Sequence, residues 1–156
     1  EQREDGRYPM KMLLVAVVAA LIMVSGCATR LELADAVLQA RKSGTEGVAK
    51  VYPVSSDQAW EITRSVLRWL KADDVEERRT ENCLIASSGM KMALFGTVMG
   101  VWIEPDDPGF TRITVISRHR DECCVLTDLT PDQFFRNFEK GMNIIKGGGM
   151  LPVAAP

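Results

Sequence analysis

Three of the four cysteines and the single histidine are the residues whose types could bind a metal or carry out redox chemistry. His119, Cys123 and Cys124 lie close together in sequence, and Cys83 can lie on an adjacent strand. Thiolates and imidazoles are the usual zinc ligands, but the paired C-x-x-C spacing of structural zinc sites is absent. We therefore expect an exposed His119 between arginines and predict no metal or cofactor. A metal- or redox-linked protein that uses these four residues is the alternative function.

Cys27, the fourth cysteine, lies at the end of an apolar N-terminal segment. Residues 12–24 contain neither charge nor glycine, and Lys11 precedes them. A helix of this length rises only ~20 Å, less than the ~30 Å hydrocarbon core of a bilayer, so the segment fits the apolar region of a secretory signal. The pattern ends in an aliphatic residue, two small residues and a cysteine, namely Val24, Ser25, Gly26 and Cys27.

This ending resembles the bacterial lipobox, in which the cysteine thiol receives a diacylglyceryl group. Cleavage before the cysteine then frees an amine for a further acyl chain. The resemblance predicts a signal peptide over residues 1–26 and a membrane anchor on Cys27, since two or three acyl chains hold a protein stably. The competing interpretations are an ordinary secretory signal and a short membrane anchor.

Two neighbouring features refine this prediction. Residues 1–9 contain no methionine, so we interpret Met10 as the true start. Ala28 follows the predicted lipid site, where an aspartate would favour retention in the inner membrane. We therefore expect the protein in the cell envelope, on the outer membrane and facing the periplasm.

Export would place the three other cysteines in an oxidising compartment, where disulfides persist. Cys123 and Cys124 are adjacent, and a bond between them would strain the intervening peptide. Cys83 is the better partner for either one, and alternation along a strand allows only one of the two to meet it. The competing interpretation is that all three thiols are reduced and buried.

The remaining chain contains alternating and helical apolar patterns. We predict a short helix within residues 28–42 that docks on the domain, lies near lipid headgroups or is disordered, followed by a linker. Strands are predicted at residues 48–54, 75–79, 83–88, 97–104 and 110–118, with a further candidate at 123–126. Helices are predicted to begin after Ser55 and Thr130, where Gln58 and Gln133 have capping-box spacing, and to end near Ala72 and at the Gly147 run.

Strands joined by tight turns make an antiparallel sheet, and two amphipathic helices can cover one of its faces. The predicted fold is therefore α+β, with four to five strands and two helices packed on one face, preceded by a signal peptide and tether. The predicted boundaries are residues 27–46 for the lipidated cysteine and tether, 47–149 for an independently folding domain, and 150–156 for a flexible tail.

A loose motif opens this domain: Tyr52, Pro53, Ser55, Asp57 and Trp60 follow the pattern Tyr-Pro-x-Ser-x-Asp-x-x-Trp. Together with the lipobox, the strand-rich middle and the terminal helix, it resembles a family of small bacterial lipoproteins that has no assigned activity. The resemblance covers most of residues 48–146. It implies an envelope lipoprotein with an α+β domain, and it supplies no catalytic residues.

Charge and composition narrow the function classes further. The formal charge of −2 does not fit a nucleic-acid-binding surface. Acidic pairs at residues 73–74, 76–77 and 106–107 are interpreted as solvated turns rather than as catalytic carboxylates. The Met-rich stretch 90–96 can be an exposed binding loop, but packing in the core is favoured. We therefore expect a non-enzymatic binding or scaffolding module with an unidentified envelope protein as its partner.

Overall fold

The computed structural model describes residues 29–44, 47–92, 95–119 and 129–156. Three helices and five strands follow one another in these ranges. They are α1 (Thr29–Ser43), β1 (Val48–Tyr52), α2 (Ser56–Trp69), β2 (Asp74–Arg78), β3 (Cys83–Met92), β4 (Phe95–Pro105), β5 (Thr111–His119) and α3 (Pro131–Lys146), with a 3₁₀ turn at Arg79–Glu81.

The five strands form one antiparallel sheet in the order β1-β5-β4-β3-β2. This arrangement confirms the predicted α+β class and the antiparallel sheet. β1 and β2 are the edge strands, and Pro53 follows directly after β1, where a missing backbone donor costs no ladder hydrogen bond. β2 carries four charged residues among its five, which is typical of a protected edge.

α2 and α3 cover one face of the sheet, here called the α2/α3 face. The predicted residues cap both first turns, with a complete capping box at α2 and a Thr130 side-chain cap at α3. Ser55 Oγ accepts from Gln58 N at 3.2 Å, and the Gln58 side chain accepts from Ser55 N at 3.1 Å. Thr130 Oγ1 accepts from Gln133 N at 3.3 Å.

The core of the α2/α3 face is apolar and rich in aromatic rings. Its completely buried members include Ile62, Leu84, Val101, Phe134 and Phe138. Because these side chains come from both helices and from the central strands, their burial is the main term that holds this layer together.

α1 packs on the opposite face, here called the α1 face. Val37 and Ala40 contact a smaller cluster of sheet residues, comprising Cys83, Ile85, Val98, Trp102 and Ile116. Of the three fates left open for the short N-terminal helix, the structure therefore shows docking on the domain. This docking covers apolar residues of β3, β4 and β5 that would otherwise be exposed, because strand alternation also places apolar side chains on the α1 face.

Several boundaries differ from the prediction. α2 ends at Trp69 rather than near Ala72, because Lys71 takes a left-handed φ of 56°. β3 continues four residues beyond the predicted strand, to Met92. The residues predicted as a flexible tail make contacts, since Leu151 packs against the core and Pro152 O accepts from Trp69 Nε1 at 3.0 Å. The candidate strand at 123–126 lies outside the described residues.

Candidate functional site

A groove lies between the N-terminal half of α1 and the edge strand β2. α1 contacts β3, β4 and β5 but leaves the β2 side of its face uncovered, which creates a cavity of about 520 Å³. Apolar and charged side chains line it, including Leu31, Ala34, Ile85, Val98, Glu76 and Arg78. Leu31 is 75% exposed. A cavity of this size with a mixed lining suits an apolar or amphipathic ligand.

Arg78, the cation of the groove lining, is paired with two carboxylates, while Asp74 adds a further negative charge to the lining. Arg78 Nε donates to Glu76 Oε1 at 2.8 Å, and Glu81 lies 3.8 Å from the same guanidinium. The hydrogen bond to Glu76 raises the pKa of Arg78. These contacts hold the rim as an ion-pair network at the surface, where each pair contributes little to stability.

Cys83 lies under α1 and not in the groove opening. Its side chain is completely buried in the α1-face cluster. Burial raises the pKa of the Cys83 thiol to about 11, and the charge of Glu81 adds to this effect. At neutral pH the thiol is therefore protonated, which makes it a poor nucleophile and a poor metal ligand.

His119 is not the exposed residue that the sequence predicts. It is partly buried at the end of β5, opposite Thr97 of β4, and its Nδ1 lies 2.8 Å from Thr97 Oγ1. Burial lowers the pKa of His119, which favours the neutral imidazole. The correction follows from β5 extending to residue 119, so that the histidine belongs to the sheet and not to a loop.

The strand register separates Cys83 from His119. Cys83 opposes Trp102 and His119 opposes Thr97, which places them five residues apart along β4 and on its two sides. At about 3.4 Å per residue and 4.8 Å per strand, their Cα atoms are roughly 20 Å apart. The alternation of β5 also puts His119 on the α2/α3 face, so no single site contains both residues.

Cys123 and Cys124 lie outside the described residues, so a disulfide from either one to Cys83 stays a prediction. The register limits it, because four or five residues after His119 span at most about 14–18 Å. Either bond would require a nearly extended segment. Among the residues that the structure describes, no group of three or more His, Cys, Asp or Glu side chains could hold a metal ion.

A second cluster joins β1 to α3 next to a cavity of about 420 Å³. Glu139 Oε1 accepts from Lys50 Nζ at 3.2 Å and from Tyr52 OH at 3.0 Å. The Lys50 hydrogen bond, followed by that of Tyr52, lowers the pKa of Glu139. Burial raises the pKa of Tyr52, and its bond to Glu139 raises it further. The Glu139 carboxylate thus stays ionised and the Tyr52 phenol stays neutral. The cluster therefore links β1 to α3 through hydrogen bonds and an ion pair.

The acidic pairs occupy surface positions. Asp106 Oδ1 accepts from Arg112 at 2.7 Å, and Glu77 pairs with Arg64. Asp73 accepts from the backbone N of Gly89 at 2.9 Å. These carboxylates are exposed, as predicted, but the assignment of all three pairs to turns is wrong, because Asp74, Glu76 and Glu77 belong to the edge strand β2.

The contacts that attach α1 are the part of this region that sequence reasoning missed. Arg41 forms two hydrogen bonds with Glu104, at 2.6 and 2.7 Å, and its guanidinium lies 5.5 Å from the Trp102 ring. Gly100 lets the helix approach closely, because a Cβ there would lie 2.7 Å from Val37 Cγ1. The run 98–103 of β4, which contains no polar residue and therefore has no solvent-facing side, was the available signal.

The lipobox residues Val24–Cys27 and the apolar segment before them lie outside the described residues. In the described part of the chain, none of the helices has both the length and the apolar character needed to cross a bilayer. No protein-family model and no curated protein matches this chain.

Proposed function

We propose that this protein is a bacterial cell-envelope lipoprotein, anchored by acyl chains on Cys27. Its α+β domain is a non-enzymatic binding or scaffolding module that faces the periplasm, on the outer membrane. The proposal combines the lipobox pattern at residues 24–27 with the position of the first helix.

The observation that carries the proposal is the docking of α1 directly after the predicted lipid site. Only Ala28 separates Cys27 from Thr29, the first residue of α1. Two residues span at most ~7 Å, so an acylated Cys27 would hold the folded domain against the membrane surface without a long tether. Such a connection suits a module that acts at the membrane rather than one that reaches across the periplasm.

The state of the reactive side chains supports a binding role over catalysis. The Cys83 thiol is buried and protonated, and His119 is partly buried on the other face. Tyr52 OH donates a hydrogen bond to Glu139, so both groups are already engaged. The groove beside α1 offers a concave surface of about 520 Å³ for a ligand or a segment of a partner protein.

Metabolic labelling with a fatty acid tests the anchor in a bacterium that has the lipoprotein maturation enzymes. We expect the wild-type chain to be labelled and processed, and Cys27→Ala to stay an unlabelled precursor. Cys83→Ala is the matched control, because it removes a buried thiol outside the lipobox and should label normally. Labelled Cys27→Ala protein, or an unlabelled wild-type chain, would overturn the proposal.

A further inference from the structure

α1 is attached to the sheet through few buried side chains. Over residues 31–43, Val37 and Ala40 are the ones that are buried. Three further apolar residues of the helix contact the same cluster but stay partly exposed, namely Leu33, Ala34 and Leu38. The ion pair between Arg41 and Glu104 is also partly exposed. Because buried apolar area is the main stabilising term, the docking of α1 is a weak part of the structure.

The rest of the domain does not depend on α1. The five strands pair with one another, and the larger core lies on the other face, between the sheet and the helices α2 and α3. Gly44 and Gly47, at φ values of 65° and 123°, flank the connection from α1 to β1. α1 can therefore leave the sheet in a local opening that keeps the strand ladders and the α2/α3 core intact.

Such an opening uncovers a surface that is shaped for a helix. Gly100 forms its floor, because a Cβ there would lie 2.7 Å from Val37 Cγ1. Apolar side chains of the sheet surround this point, namely Cys83, Ile85, Val98, Trp102 and Ile116. An apolar surface with a cleft for one helix is the arrangement by which proteins bind amphipathic helices of partners.

One end of this surface is specific for arginine. Arg41 donates two hydrogen bonds to Glu104, and its guanidinium lies 5.5 Å from the Trp102 ring. A lysine lacks the planar group that contacts a carboxylate and an aromatic ring together. With Val37 and Ala40, Arg41 defines the pattern that fits: an aliphatic residue, a small residue three positions later and an arginine four positions later.

α1 fills this surface incompletely. Ala34 lines the cavity of about 520 Å³ together with Ile85 and Val98. Leu31, which also lines it, is 75% exposed. A helix with a larger apolar side chain at the position of Ala34 would bury more apolar area than α1 does. This difference allows an external helix to compete with α1, whose advantage is its covalent connection to the domain.

We infer that α1 is a displaceable cover and that the α1 face of the sheet binds an amphipathic helix of a partner protein. The partner helix carries the pattern of Val37, Ala40 and Arg41, with a larger apolar residue three positions before the aliphatic one. α1 is thus an autoinhibitory contact. The inference assigns the proposed binding role to one surface, and it does not depend on lipid at Cys27.

Peptide binding to the full processed protein in detergent tests the displacement. The probe is a fluorescent peptide with the sequence of residues 29–43, and its anisotropy measures affinity. Val37→Asp in the protein places a charge in the buried contact of its own α1 and leaves the sheet unchanged. We expect this variant to bind the peptide about tenfold more tightly than wild type does. Ala36→Asp is the matched control, because Ala36 is exposed, and it should bind like wild type.

Two further substitutions identify the surface. Gly100→Ala, added to Val37→Asp, fills the floor of the binding surface and should abolish the gain. In the peptide, Ala34→Leu should raise the affinity for the Val37→Asp protein about tenfold by filling the cavity, whereas Ala36→Leu should not. Equal affinity of wild type, Val37→Asp and Ala36→Asp for the peptide, or a gain that survives Gly100→Ala, would overturn the inference.

Alkylation of Cys83 in the wild-type protein tests the opening without any variant. Cys83 is completely buried in the cluster under α1, so iodoacetamide reaches its thiol only after α1 has moved. With the protein reduced and the modified peptides identified by mass spectrometry, we expect Cys83 to be alkylated while α2 and α3 are still protected from hydrogen exchange. Alkylation that begins only when these helices lose protection would overturn the inference, whether or not Val37→Asp folds.

The labelling of Cys27 keeps the two proposals separate. An unacylated Cys27 overturns the lipid anchor and leaves the peptide result unchanged. Failure of the peptide to bind the Val37→Asp protein overturns the displacement, and the groove beside α1 then stays the binding surface of the proposed function.

Discussion

The two faces of the sheet are built differently. The α2/α3 face buries two helices and a continuous aromatic group, in which the Tyr52 and Phe138 ring centroids lie 4.8 Å apart. The α1 face buries one helix through the smaller cluster around Trp102 and adds a partly exposed ion pair between Arg41 and Glu104. Since buried apolar area is the main stabilising term, we expect the α2/α3 face to determine global stability.

The weaker face carries the connection to the predicted anchor. α1 follows Cys27 after one residue, so under the proposed lipid anchor its docking would hold the domain close to the membrane, and its undocking would leave the domain on an extended segment. Undocking of all of α1 would release the fifteen residues of the helix as tether. Under the same proposal, the α2/α3 face stabilises the domain and α1 positions it.

The largest effect is expected in the core of the α2/α3 face. Phe138 is completely buried between α3 and β1, so Phe138→Ala should lower the free energy of unfolding by about 3–5 kcal/mol. Chemical denaturation measures the loss. Phe110→Ala is the control, because its side chain is 45% exposed and its removal should change little. Equal losses in both variants would show that the core is placed wrongly.

A smaller and local effect is expected at Gly100. A Cβ there would lie 2.5 Å from Trp102 Cη2 and 2.7 Å from Val37 Cγ1, so Gly100→Ala should cost about 1–3 kcal/mol and loosen α1. Hydrogen exchange should become faster in α1 while α2 and α3 stay protected. In Gly147→Ala, the control, the nearest atoms are 3.4 Å away and exchange should not change. Unchanged α1 protection in Gly100→Ala would contradict the docking.

The dependence of unfolding stability on alkaline pH should test the packing of the α1 face, because Cys83 is buried there. Burial raises the pKa of Cys83 to about 11, above the ~8.5 of an unfolded thiol. The folded state thus favours the protonated thiol, and this stabilisation is complete below pH ~8.5 and is lost as pH rises towards 11. In denaturation under reducing conditions, the stability difference between wild type and Cys83→Ala should shrink over this range. If the stabilities of wild type and Cys83→Ala change with pH in the same way, Cys83 is not buried in the α1-face core.

The smallest expected effect concerns the ion pair that fixes the C-terminal half of α1. Arg41 and Glu104 have side chains 32% and 38% exposed, so a double-mutant cycle with alanine should give a coupling of about 0.5–1 kcal/mol, weakened by salt. Lys50 and Glu139, at 3.2 Å and 46% and 45% exposed, form the comparison pair on the other face. A stronger coupling for Lys50 and Glu139 would contradict the role assigned to Arg41.

The sequence predicted the α2/α3 face well because its signals are local. Ser55 with Gln58, and Thr130 with Gln133, mark helix starts through contacts within one turn. The strands predicted at 97–104 and 110–118 correspond to β4 and β5. The docking of α1 depends instead on contacts such as Arg41 with Glu104, sixty-three residues apart, which no local pattern reveals.

The candidate site was less predictable for the same reason. A shared site for His119 and Cys83 was considered because Cys83 could lie on an adjacent strand. In the structure β4 lies between their strands, and alternation places the two residues on opposite faces. The groove beside α1 could not be foreseen, because it arises where a helix leaves an edge strand uncovered. The strand predicted at residues 83–88 was also too short, because β3 continues to Met92 through a register shift after Ser88.

The mass of the N-terminal peptide tests the lipid anchor most directly. Trypsin cleavage after Arg30 of the mature protein, extracted from membranes, would release a peptide of residues 27–30. We predict that this peptide begins at Cys27 and carries a diacylglyceryl group and an additional acyl chain. A mature chain that begins elsewhere, or one with an unmodified Cys27 thiol, would contradict the account.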